Sequence, residues 1–260
     1  MLEWSPFFSE QKEGVIVAID ENQEWLLPWW WENYSKYNRF PVTFVDLGLS
    51  IKAREFCREK GNLVELPLNA HARNSDFQSQ ELEQDSQSFH EDSFRKRRCW
   101  HKKPLAMLQT PYLYSLWLDV DCEVRASLLP LFVQIASKEF LLICPEHESL
   151  QKRLSSEGTL LKGEIFFNSG VIGFRKGSFY ILEWALFTLE NQNSYFGDQN
   201  ILSRLIFNLN WPVEILDPTY NWYGSIYEIP SDVKVVHWAG DMGKFLLSLR
   251  LFSEGELSSK

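Results

Sequence analysis

The sequence predicts an α/β fold in which a mixed, mostly parallel central sheet is flanked by helices. Three observations predict it. Short β-branched apolar runs stop at acids, as in Val15-Ile16-Val17-Ala18-Ile19-Asp20 and Val42-Thr43-Phe44-Val45-Asp46. Helix-patterned segments separate these runs, the alternation that builds a parallel sheet with helical cover. The 260 residues show no internal repeat and no linker, so residues 1–260 are expected to form one domain.

Gly14 to Ile19 reads as a buried parallel strand. Residues 23–38 follow as a helix, with Pro28 tolerated near its first turn. Pro41 to Asp46 is a second strand, closed by Gly48. A helix from about Ser50 to Lys60 has Ser50 as its N-cap and Gly61 as its stop. Asn62 to Leu68 is a third strand. From 74 to 92 the chain is rich in Gln, Ser and Glu and nearly free of aliphatic residues, so it reads as a polar mobile loop extending to about 98. The loop ends in Arg95-Lys96-Arg97-Arg98, a solvated charge run or a set of cations for a diphosphate. Pro104 to Gln109 is a helix leading into the strand that ends at Asp119. Phe140 to Cys144 is another strand, and 164–174 holds two apolar runs broken by Asn168-Ser169-Gly170. Residues 178–190 and 198–208 are helical, and Val233 to Val236 is a last strand ending at His237.

Composition narrows the function. A net charge of −9 argues against nucleic acid, which selects a basic face. Four cysteines without CxxC spacing read as reduced thiols rather than a disulfide framework. Glu3, Glu10, Lys12 and Glu13 precede any apolar run, unlike a signal peptide, and no stretch approaches the ~18 apolar residues of a membrane span. A cytoplasmic location is expected, with peripheral membrane contact left open. Trp29, Trp30 and Trp31 point in different directions on a helix, for packing or as an aromatic wall for an acceptor.

Four clusters can carry chemistry. Leu116-Trp117-Leu118-Asp119-Val120-Asp121 ends a strand in two carboxylates, which share a face if the strand continues through them. Two such acids repel unless a cation lies between them, and Mg²⁺ or Mn²⁺ prefers carboxylate oxygen. His237 ends a strand ahead of Gly240, Gly243 and Lys244, a metal ligand beside a phosphate-binding loop. Phe167-Asn168-Ser169-Gly170 offers short polar groups to a hydroxyl-rich ligand, or makes a turn. Gly197-Asp198-Gln199 precedes a helix, with Asp198 either its N-cap or a ligand contact.

This ordered set resembles the GT-A-fold glycosyltransferases, particularly glycosyltransferase family 8, which includes glycogenins and bacterial galactosyltransferases. The resemblance runs from about Gly14 to Lys244. It implies a GT-A-like, Rossmann-like domain and a hexosyltransferase moving sugar from a UDP-linked nucleotide-diphosphate donor with retention. By resemblance Asp119, Asp121 and His237 would hold Mn²⁺ or Mg²⁺, and Ala18, Asp20 and Asn22 would meet the donor's base and ribose. Lys103, Asn168, Ser169, Gly170 and Asp198 would contact donor sugar or phosphate, with Gln199 near the reacting face and Gly240 and Lys244 at the diphosphate. Three positions depart from the family pattern. The lysine stands seven residues after His237 instead of six, Asn200 follows Asp-Gln where Asp is usual, and no Pro-Trp follows Lys244.

The acceptor, whether carbohydrate, lipid or protein, is not legible, and neither is the oligomeric state. A haloacid-dehalogenase phosphatase also uses Asp-x-Asp, but after its first core strand, whereas several elements precede Asp119 here. A sugar-phosphate nucleotidyltransferase would need an N-terminal Gly-rich loop with basic residues. The remaining alternative is a transferase domain that has lost turnover and keeps binding.

Overall fold

The structure is a computed structural model that describes residues 2–66, 100–191, 194–223 and 228–253. The polar loop expected around 74–98, its basic run and the end of the third expected strand lie outside these residues.

Seven described strands form one sheet: β1 (Glu13–Ile19), β2 (Val42–Asp46), β3 (Asn62–Glu65), β4 (Tyr114–Leu118), β6 (Leu141–Pro145), β7 (Phe167–Arg175) and β8 (Val213–Ile215). Their order is β3-β2-β1-β4-β7-β6-β8. Only β7 is antiparallel to its neighbours, so the other strands all point their carboxyl ends to the same edge. A separate ribbon pairs β5 (Cys122–Val124) with β9 (Val235–His237). The described helices are α1 (Leu27–Tyr37), α2 (Ile51–Lys60), α3 (Lys103–Met107), α4 (Leu129–Ser137), α5 (Glu148–Ser156), α6 (Phe179–Asn191), α7 (Asp198–Asn208) and α8 (Gly240–Ser253). The expected mixed, mostly parallel sheet with helical cover is what forms.

The strands are apolar on both sides because both faces are covered. Val15, Val17 and Ile19 enter one core with Leu116 and Leu118, while Ile16 and Trp117 enter the other, the period-two alternation of a strand. In the first core Trp30 stacks on Tyr34 at 5.0 Å and meets Phe44 edge-on at 6.1 Å. Trp29 is buried beside it and Trp31 packs against the same core, so this cluster is packing material. None of the three lines the cleft described below, which removes the acceptor-wall expectation.

Local boundaries follow local chemistry. Ser50 Oγ accepts the Ala53 N–H at 3.2 Å and starts α2. Gly61 ends it in extended backbone, and its glycine is required because a Cβ would sit 2.3 Å from the Val42 carbonyl oxygen. The first helix begins four residues late, at Leu27, because residues 24–26 take a 3-10 turn before Pro28.

Several expectations are corrected. Strand β7 runs unbroken through Asn168-Ser169-Gly170, paired to β4 on one side and bulged against β6 on the other. Strand β4 stops at Leu118, so Asp119 and Asp121 are not on one pleated face but flank a turn closed by Cys122 N–H to Asp119 carbonyl at 3.0 Å. From Gly240 onward the chain forms α8 rather than a glycine loop. Among the described residues no helix is long and apolar enough to cross a membrane.

Trp30→Ala is expected to cost about 3–5 kcal/mol by removing a buried indole and leaving a cavity. Urea unfolding checks it: a fall in midpoint at unchanged slope is the expected result, and an unchanged midpoint refutes it.

Candidate functional site

The carboxyl ends of β1, β4 and β6 open on one cleft of about 390 Å³, completed by the start of α7, the start of α8 and Trp25, Trp100 and Phe196. Such a strand-end crevice is where open α/β sheets bind ligands. The cleft brings together Asp20, Asn22, Lys103, Asp119, Asp121, Asn168, Ser169, Asp198, Gln199, His237, Gly240 and Lys244. Ala18 lines a smaller adjoining cavity with Asp20, Asp119 and Trp117. Of the residues expected at the site, only Gly170 lies behind these walls, for a reason given below.

Two ammonium groups organise the acids. Lys103 Nζ lies 3.1 Å from Asp119, 3.2 Å from Asp198 Oδ2 and 2.9 Å from Ser169 Oγ. Ser169 donates in turn to Asp198 Oδ2 at 2.7 Å. Gly197, not Asp198, is the N-cap of α7, which frees the Asp198 carboxylate to face Lys103. Lys244 pairs with Asp121 Oδ2 at 2.5 Å. Burial alone would push both lysine pKa values down, but the adjacent carboxylates raise them, so both stay charged.

The carboxylates differ. Burial pushes the Asp119 pKa up, and Asp121 adds to this against the pull of Lys103. Asp121 is also buried, but the Lys244 ammonium beside it outweighs the desolvation and holds its pKa well below the usual range. Asp119 is fixed in place by the Trp117 indole N–H at 2.7 Å and by its own N–H on the Gly170 carbonyl at 2.9 Å.

His237 completes this cluster. The ribbon pairs Cys122 with His237, so the histidine stands beside the Asp119–Asp121 turn. Asn221 donates its amide to Asn168 Oδ1 at 2.9 Å, which leaves Asn221 Oδ1 as an acceptor 3.1 Å from His237 Nδ1. That arrangement puts the imidazole proton on Nδ1 and turns the Nε2 lone pair toward Asp121 Oδ1 at 3.3 Å and Asp119 Oδ2 at 3.7 Å. Asp121 Oδ1 is buried and has no hydrogen-bond partner among the described residues. Lone pairs that converge with no proton between them fit a cation. Oxygen and imidazole donors suit a divalent ion such as Mn²⁺ or Mg²⁺. Cys122 Sγ is also close, yet it donates to the Gly170 carbonyl and burial keeps it a thiol, so it does not belong to this donor set.

Three further residues were not singled out from sequence. Glu146, the residue after β6, is buried and accepts from Asn168 at 2.8 Å and Gln199 at 3.3 Å. Asn221 links His237 to Asn168. Trp117 clamps Asp119. Only Glu146 carried a sequence signal, an acid just past the apolar run 140–144, the same pattern as Asp20 and Asp119. Glu123, next to the acids, turns away to the Trp238 indole at 3.1 Å and Arg250 at 3.0 Å.

Gly170 serves the site by having no side chain. A Cβ there would lie 2.1 Å from the His237 ring. Gly243 has a similar constraint, since its Cβ would meet the Trp238 backbone at 2.4 Å. Gly240 opens α8 with φ +72, a conformation glycine adopts without strain.

No family model and no curated protein sequence matches this chain. Solved structures do. The galactosyltransferase LgtC, solved with donor and acceptor sugar analogs, is 15% identical and aligns over 95% of this chain and 97% of its own, with a TM-score of 0.59. Mouse xyloside xylosyltransferase 1 in its apo form is 14% identical over 88% of this chain and 98% of its own, with a TM-score of 0.54. The apo glycosyltransferase GlyE of Streptococcus pneumoniae TIGR4 is 18% identical over 89% of this chain and 55% of its own, with a TM-score of 0.54. The chain has the fold of these glycosyltransferases, the GT-A architecture its motifs led one to expect.

Gly170→Ala is expected to cost about 1–3 kcal/mol by overpacking against His237. In a double-mutant cycle with His237→Ala the cost should largely vanish, because the clash partner is gone. Additive unfolding free energies would show that the two positions are not in contact.

Proposed function

We propose that this chain is a divalent-cation-dependent glycosyltransferase that moves a hexose from a nucleoside-diphosphate donor, UDP-linked, to an acceptor hydroxyl with retention of configuration. The observation that carries this reading is the unpartnered, buried Asp121 Oδ1 facing the His237 Nε2 lone pair at 3.3 Å, inside a strand-end cleft with two charged lysines. Asp119, Asp121 and His237 are the residues that hold the cation. When bound, the cation supplies Lewis-acid neutralisation of the donor diphosphate.

The rest of the work falls to the chain's own groups. Departure of the nucleoside diphosphate builds negative charge on its terminal phosphate oxygens. Lys244, already charged and at the edge of the cleft, neutralises that charge as it develops, with the N–H groups at the start of α8 beside it. Ala18, Asp20 and Asn22 line the end of the cleft assigned to base and ribose. Asp20 accepts from the Asn22 and Gln23 N–H groups, both at 3.1 Å, which holds that turn in one shape. Lys103, Ser169 and Asp198 form a closed hydrogen-bonded set for donor hydroxyls. Asn168 is held by Glu146 and Asn221, and Gln199 by Glu146, so the polar groups assigned to the reacting sugar are oriented before it arrives. Retention needs no obligatory protein base, because the leaving phosphate can accept the acceptor proton as it departs.

Two measurements test this. UDP with Mn²⁺, at ~100 times its dissociation constant, should stabilise the native protein by about 2.7 kcal/mol in thermal unfolding, and Mn²⁺ should strengthen UDP binding. Asp121→Asn should lose the Mn²⁺ dependence while retaining native circular dichroism. The wild-type protein should also release UDP from UDP-hexoses only with Mn²⁺ present. Absence of Mn²⁺-linked UDP binding overturns the reading, and binding without turnover reduces it to a donor-binding domain.

A further inference from the structure

A second cavity of about 300 Å³ adjoins the cleft on the side of β6 and β8. Its walls include Pro145, Ile215, Leu216, Pro218, Trp222 and Tyr223, with few polar groups among them. Glu146 lines both cavities and is the point where they meet. Asn221 lines the second cavity and holds His237 and Asn168 from behind. The Tyr223 ring meets the His237 ring edge-on at 6.4 Å, so the apolar wall stands directly against the cation-binding cluster.

At that junction Glu146 is held in place, accepting from Asn168 at 2.8 Å and Gln199 at 3.3 Å with the Tyr223 hydroxyl also bonded to its carboxylate. An apolar cavity that meets a polar sugar-transfer cleft at a single carboxylate matches an amphipathic molecule. We propose that this cavity binds the apolar aglycone of the acceptor, so that the acceptor is a glycoside or alcohol bearing an alkyl or aryl group instead of a free sugar. This rests on the transferase reading. The accepting hydroxyl lies toward Glu146, at the junction, and the apolar group packs on Ile215, Leu216, Pro218 and Trp222.

The test compares phenyl and octyl glycosides, below micellar concentration, with the methyl glycosides of glucose, galactose and xylose. Binding is measured by calorimetry on the full chain in the presence of UDP and Mn²⁺. At least one phenyl or octyl glycoside should bind about tenfold more tightly than its methyl counterpart, as expected for burying the added apolar surface. A preference for octyl alone assigns an alkyl-chain aglycone, and for phenyl alone an aromatic one. Ile215→Glu, at a position 54% exposed and so tolerant of the charge, should abolish the preference and leave UDP binding unchanged. Equal binding of methyl and apolar glycosides, no binding of any apolar glycoside, or a preference that survives Ile215→Glu overturns the proposal. Titration of UDP and Mn²⁺ alone separates the two readings. If UDP binds without glycoside discrimination, the aglycone pocket falls alone; if glycosides discriminate without UDP binding, the donor reading falls alone.

Discussion

An ionised carboxylate as buried as Asp121 exists only where positive charge or hydrogen-bond donors compensate the water it has lost. Much of the C-terminal architecture supplies that compensation. Strand β9 is three residues long, yet its register against β5 sets His237 beside the Asp119–Asp121 turn. Helix α8 then starts at Gly240 and brings Lys244 onto the other oxygen of Asp121. Arg250 on the same helix reaches Glu123, two residues further along the chain. One helix thus neutralises two neighbouring buried acids, and the lysine and the arginine hold the ribbon from the same side.

Strand β7 organises the opposite wall. Among the described strands it alone runs against the rest of its sheet, and its Asn168-Ser169-Gly170 segment passes beneath the cleft. Period-two alternation divides the labour among these three residues. Asn168 and Gly170 serve the His237 side, the first by holding Asn221 and the second by leaving room for the imidazole. Ser169 serves the other side, between Lys103 and Asp198. A turn at this triplet would break that division, which is why the strand must continue through it.

The sequence made the sheet legible where strands are buried on both faces, because β1, β2, β4 and β6 are continuous apolar runs that end in polar residues. It hid elements that lack periodic contrast. Helix α5 buries none of its residues, and α4 is apolar nearly all round with Leu129 and Val133 exposed, so neither shows a clean stripe. Strands β5 and β8 have three residues each, too short for alternation to register. The same logic applies to the site. Asp119, Asp121, His237 and Asp198 announced themselves by standing at element boundaries. Asn221 did not, because its importance lies in a contact 53 residues away in the chain, with Asn168. Trp117 looked like core and does pack there, while its indole N–H holds Asp119.

The lysine one residue away from its place in the family pattern shows how spacing and geometry part company. Counted along the chain, position 243 is where a lysine resembling that pattern would stand, and it is glycine. Helix α8 already begins at Gly240, and residue 243 faces inward against the Trp238 backbone, where even a Cβ would sit 2.4 Å from the carbonyl carbon. A side chain as long as lysine has no room there. Residue 244 lies four positions after Gly240, on the same helical face, and Gly240 itself lines the cleft. Four residues of helix carry the ammonium group to Asp121 from position 244, and from position 243 they would not. The displaced lysine is therefore the consequence of starting a helix at Gly240, and the charge it delivers arrives where the buried carboxylate requires it.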